Sequence, residues 1–148
     1  MPCPYFMPTQ KCDDGNWTHP SRLPLGAGWH GVCTARAANE TPSELELREF
    51  CNMGYASTCP HLPQERTCDA VRFGVSSDRS RTIAVAYICE YNHRPAGNGM
   101  LEYDRVADEW VRTHPDVRIQ RMADCFLQSY LSRNHQTRAA SAVANASE

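Results

Sequence analysis

The chain has 148 residues, 41% of them hydrophobic and 22% charged, which suits one globular domain and excludes a disordered or collagen-like segment. Its formal charge of −2 sets it apart from basic proteins that coat nucleic acid, so a nucleic-acid partner is not expected. There is no apolar run of about 18 residues, so no membrane span is read, and Met1-Pro2-Cys3-Pro4 lacks the basic start and apolar stretch of a secretory leader.

Composition changes near residue 67. Residues 1–67 hold eight of the ten prolines, five of the eight glycines and five of the eight cysteines. Residues 1–40 show little periodicity, and the X-Pro steps favour extended or turn backbone. Such a long irregular segment needs an internal tie. Residues 42–53 read as a helix, with Thr41 as N-cap, Glu44 completing a capping box and Gly54 as the stop. Residues 55–67 return to loop.

Residues 69–75 and 81–91 alternate as strands around turn residues 76–80, which predicts a β-hairpin. Pro95, Gly97 and Gly99 then break the chain. Met100, Tyr103, Val106, Ala107, Trp110 and Val111 fall at helical spacing, predicting a helix over 100–112. Ile119, Met122, Phe126, Tyr130 and Leu131 predict a second over 116–133. Residues 134–148 read as a flexible tail.

The expected fold is therefore α+β. An irregular Cys/Pro-rich N-terminal half (1–67) wraps a metal centre and carries one helix. A β-hairpin packed on two C-terminal helices (68–133) supports it. The whole forms one compact domain.

Eight cysteines give the strongest chemical signal. A disulfide-stabilised secreted domain fits the even count and the sequons at Asn16, Asn39 and Asn145, but not the missing leader. Structural zinc normally uses a close Cys-x₂₋₄-Cys pair, and the shortest gap here is Cys51-x₇-Cys59. A [4Fe–4S] cluster is bulkier and takes thiolates from separated loops. Cys3 and Cys59 each precede proline, Cys33 follows the Gly26–Gly31 bend, and Cys51 ends the first helix. These four are the expected ligands, with Cys12, Cys68 and His61 in reserve. Cys89 and Cys125 read as core thiols.

No nucleophile–base pair or phosphate loop is present to suggest a reaction. The expected protein is a small iron–sulfur protein of electron transfer or redox sensing. A cytoplasmic, bacterial-type setting is read from the thiols and from 14 arginines to one lysine. A redox partner protein would dock near Trp29, His30, Tyr55 and His61. Arg112, Arg118, Arg121, Arg133 and Arg138 read as a salt-bridged surface.

Overall fold

Backbone pairing starts close to the N-terminus. In the computed structural model, which describes residues 1–54 and 58–146, β1 (Phe6–Lys11) runs antiparallel to β2 (Trp29–Cys33). Phe6 faces Cys33 and Lys11 faces Trp29, with a bulge between Pro8 and Gln10. Gly31 lies opposite Pro8, and a Cβ there would meet the Met7 carbonyl oxygen at 2.2 Å. Short 3-10 turns at Asp14–Asn16 and Pro20–Arg22 fill the connection.

The first helix starts two residues later than its sequence suggests. Thr41…Glu44 and Ser43…Glu46 both fit a capping box, and the second one forms. The Ser43 hydroxyl accepts from the Glu46 amide at 3.2 Å, and the Glu46 carboxylate accepts from the Ser43 amide at 2.8 Å. Helix α1 (Glu44–Glu46) then widens into a π-turn over Leu47–Cys51. Such turns collect at functional sites. Gly54, at φ +85°, turns the chain away.

Asn52 fastens this turn to β2. Its side chain is 1% exposed, accepts from the Trp29 amide at 2.9 Å, and donates to the carbonyls of Trp29 and Leu47 at 3.0 Å each. The carboxamide thus takes the place of a neighbouring strand for Trp29.

A second sheet follows, with strand order β3 (Ala70–Asp78), β4 (Thr82–Tyr91), β5 (Arg94–Asp104) and β6 (Glu109–Arg112), all antiparallel. Asn92 and His93, at φ 50° and 60°, make the two-residue β4–β5 turn. His93 is a turn residue there. The long helix α2 (Val117–Ala146) packs across the sheet, continuing well past residue 133 with an exposed last part. Val71, Phe73, Ile83, Val85, Leu101 and Tyr103 from the sheet share one core with Ile119, Met122 and Leu127 from α2.

Three expectations are corrected. Residues 100–112 form the end of β5, a turn and β6, not a helix. Leu101 and Tyr103 alternate inward around half-buried Glu102, a period of two. The Asp104 carboxylate accepts from the amides of Val106 (2.8 Å) and Ala107 (3.0 Å), and Asp108 takes φ 55°. This aspartate turn stops a helix before it can start. Pro95, Gly97 and Gly99 are tolerated in a strand because β6 pairs only with residues 102–104, leaving the rest of β5 on the sheet edge. The β-hairpin on two C-terminal helices is therefore a four-stranded sheet on one helix.

The irregular N-terminal half wrapped around a metal centre is the third correction. Among the described residues, no group of three or more His, Cys, Asp or Glu side chains is placed to hold a metal ion. Apolar burial orders this half instead. Phe6 and Leu25 (1% exposed each) and Trp29 (3%) enter the same core as the second sheet. The arginines of α2 add to the tie: Arg121 donates to the Pro8 carbonyl at 3.0 Å and Arg118 to the Thr34 hydroxyl at 3.0 Å.

Replacing Asn52 by Ala should cost about 2–4 kcal/mol, because a buried amide left unpaired costs about 1–3 kcal/mol beyond the bonds lost. Urea unfolding of Asn52→Ala against the parent measures it. A change under about 0.5 kcal/mol would mean that the carboxamide does not fasten the two segments.

Candidate functional site: four convergent cysteines

Backbone hydrogen bonds bring three of the expected ligands together. The Cys3 amide donates to the Cys51 carbonyl at 3.3 Å, and the Cys3 carbonyl accepts from the Phe6 amide at 3.0 Å. Phe6 in turn faces Cys33 across the β1–β2 pair. The Cys33 amide donates to Glu40, turning the chain as β2 ends. Cys59 lies in a separate turn, closed by the Leu62 amide on the Cys59 carbonyl at 3.2 Å. Cys3 and Cys51 are buried, while Cys33 and Cys59 are half-buried.

The four thiols share one electrostatic neighbourhood. Burial pushes Cys3 up to about 11, and the charges of Cys33 and Cys59 add to the rise, while the Tyr5 and Phe6 amides oppose it. Burial, then the charges of Cys3, Cys33, Cys59 and Glu46, holds Cys51 well above the ordinary thiol range. An ionised neighbouring sulfur therefore disfavours ionisation of Cys3 and of Cys51, unless a cation joins them.

Glu46 organises the rim. Its carboxylate meets Arg36 at 2.5 Å and His61 at 3.1 Å, and Arg36 also reaches Glu40 at 3.1 Å. The capping-box bonds from Ser43, ahead of the cations, hold the Glu46 carboxyl below its usual range despite some desolvation. The Arg36 guanidinium feels the charge of Cys33, and Arg118 feels that of Cys3. Two cations thus stand next to the thiol set.

The remaining candidates lie elsewhere. Cys12 is buried beside Trp17 and Arg48, and its amide donates to the Gly28 carbonyl at 2.8 Å. His61 is engaged with Glu46. Cys68, whose thiol donates to the Ala70 carbonyl, lies within hydrogen-bond reach of Cys89, so Cys89 is not the isolated core thiol expected of it. Cys125 is fully buried, and burial pushes its thiol up to about 12. Trp29 cannot serve as a docking residue, because it is buried under the Arg121 guanidinium, 5.7 Å from its ring. Tyr55 and Ser147, the last residue of the Asn145 sequon, lie outside the described residues.

Sequence reasoning missed the Arg36–Glu46–His61 network and the Cys68–Cys89 pair. The second Ser-x-x-Glu motif, at Ser43, was the available signal for Glu46. No protein-family model, curated protein or solved structure matches this chain.

The raised Cys3 thiol makes metal-free stability depend on pH. The folded protein keeps the Cys3 proton up to about pH 11, while an unfolded chain releases it near 9.0. Folding stability from this group is full below 9.0 and is lost as pH rises to about 11. The loss is roughly 2–3 kcal/mol, from two pKa units at about 1.4 kcal/mol each. Urea unfolding at pH 8, 9.5 and 11 should show it, with a smaller slope in Cys3→Ser. An equal slope in both proteins would remove Cys3 as the source.

Proposed function

We propose that this chain is a small iron–sulfur protein that takes a [4Fe–4S] cluster on Cys3, Cys33, Cys51 and Cys59, and that it serves one-electron transfer or redox sensing in the cytoplasm. The observation that carries the reading is the mutual electrostatic influence of these four thiols. They come from four separate chain segments, which suits a bulky cluster better than zinc, whose sites favour close pairs.

The charge of the surroundings supports the reading. Four thiolates carry net negative charge, and Arg36 and Arg118 stand near two of them. Metal ligation requires thiolates, so loading would release protons from sulfurs that burial otherwise keeps protonated. The cluster would not organise the fold, since apolar packing already does that. The half-buried Cys33 and Cys59 mark the edge through which a partner protein would exchange electrons. Transient redox partners meet over small areas, below about 1,200 Å².

Anaerobic reconstitution with ferrous iron and sulfide tests the reading. A brown protein with about four irons and four sulfides per chain is expected, as the cube requires. Each of Cys3→Ser, Cys33→Ser, Cys51→Ser and Cys59→Ser should lose most of the iron, while Cys12→Ser and Cys125→Ser keep it. Circular dichroism of each metal-free variant separates lost ligation from lost folding. One bound zinc without sulfide, or full iron content in a folded Cys51→Ser protein, would overturn the proposal.

A further inference from the structure

The second thiol pair lies apart from the four-cysteine set and faces an open cleft. Cys68 immediately precedes β3, and Cys89 lies on β4 opposite Val71. The chain turns at Cys68, so that its thiol donates to the Ala70 carbonyl at 3.2 Å and stands where the same proton can turn to a Cys89 thiolate. Both residues are half-buried. They line a cleft of about 280 Å3 together with Tyr5, Gly97, His114 and Arg118. On the next strand Gly97 faces Cys89, and a Cβ added to Gly97 would meet nothing within 4 Å. The space over the Cys89 sulfur is thus open.

The cleft also carries a fixed cation. Arg118 lies over the Tyr5 ring at 5.0 Å and is held by the Asp116 carboxylate at 2.7 Å and 3.0 Å. A guanidinium fixed in this way can meet the carboxylate of a small anionic ligand.

We propose that Cys68 and Cys89 are a redox-active dithiol that closes to a disulfide by exchange with a low-molecular-weight anionic disulfide bound in this cleft. The two sulfurs have distinct roles. The hydrogen bond from Cys68 holds Cys89 below the ordinary thiol range, with burial and the Asp116 charge opposing it, while the same bond and burial hold Cys68 above that range. Cys89 is therefore the attacking thiolate. It bonds to one sulfur of the small disulfide and expels the other half as a thiolate. Cys68 then gives its proton to solvent and attacks the Cys89 sulfur, expelling the second half. The net change oxidises two protein thiols to one disulfide and reduces the small disulfide to two thiols. This pair supplies none of the four cluster ligands proposed above, so neither proposal depends on the other.

Glutathione disulfide is the probe. The purified protein is incubated with it, quenched in acid, alkylated and digested with trypsin. Cys68 then lies in the 67–72 peptide and Cys89 in the 82–105 peptide. The expected product is these two peptides joined by a disulfide. In Cys68→Ala the reaction should stop at glutathionylated Cys89, and form it several-fold more slowly at pH 7 because the hydrogen bond is gone. In Cys89→Ser, Cys68 should stay alkylatable. A parent protein in which both thiols stay reduced, or in which either joins another cysteine, overturns the proposal without any variant. Faster adduct formation at Cys68 in Cys89→Ser than at Cys89 in Cys68→Ala would overturn the assignment of the attacking sulfur.

Discussion

The placement of Cys51 against the first sheet depends on the buried carboxamide of Asn52. The π-turn that ends on Cys51 and the strand that ends on Cys33 belong to different elements, and Asn52 joins them through two hydrogen bonds with Trp29, while a third, to Leu47, stays within the turn. A neutral carboxamide suits the task. It donates and accepts at once, so it can satisfy both the amide and the carbonyl of Trp29 with no buried charge. A carboxylate could take only the amide and would leave the carbonyl facing negative charge. Because Asn52 directly follows Cys51, a displacement of the carboxamide would move that sulfur with it.

Helix α2 provides the other half of the frame, serving both sheets at once. Its apolar face closes the core of the four-stranded sheet, and Phe126 stacks on Phe73 with centroids 5.9 Å apart. Its arginines reach the N-terminal half. Relative magnitudes show which of their contacts matter. Exposed ion pairs contribute about 0–1 kcal/mol. A charged donor on a backbone carbonyl contributes about 1.5–3 kcal/mol. Arg121 on the Pro8 carbonyl is of the second kind, and that guanidinium also covers Trp29. The arginine stripe that reads in sequence as a solvated, salt-bridged surface is in large part an inter-element tie.

Legibility in the sequence followed the range of the interactions. The β3–β4 hairpin could be read because alternation and turn residues are local signals. Helix 100–112 was misread because Met100, Tyr103, Val106 and Trp110 satisfy helical spacing as well as they satisfy two short strands. The deciding feature, the Asp104 carboxylate capping the Val106 and Ala107 amides, is a conformational choice that periodicity does not contain. The β1–β2 pair was invisible because Pro8 and Gly31 read as breakers, yet they face one another at a bulge where the strands approach closely. At the cysteines, Cys-Pro steps and a helix-terminal position are local signals, whereas the burial that raises Cys3 and Cys51 is set by long-range packing that the sequence does not display. The Cys68–Cys89 pair could not be read in this way. Strand register places Cys89 opposite Val71, and the two sulfurs meet only because the chain turns just before β3.

Cys89 is tuned in the opposite direction to Cys3 and Cys51 by the same physics. At Cys3 and Cys51, burial and neighbouring sulfurs both oppose ionisation, so these thiols are poor nucleophiles and hold their protons until a cation replaces them. At Cys89 a hydrogen bond outweighs burial, so the sulfur gives up its proton early and stands beside open space. An oxidant would therefore meet a more reactive sulfur at Cys89 than at the buried, protonated Cys3 and Cys51. The two regions still touch, because Arg118 in the cleft wall feels the charge of Cys3.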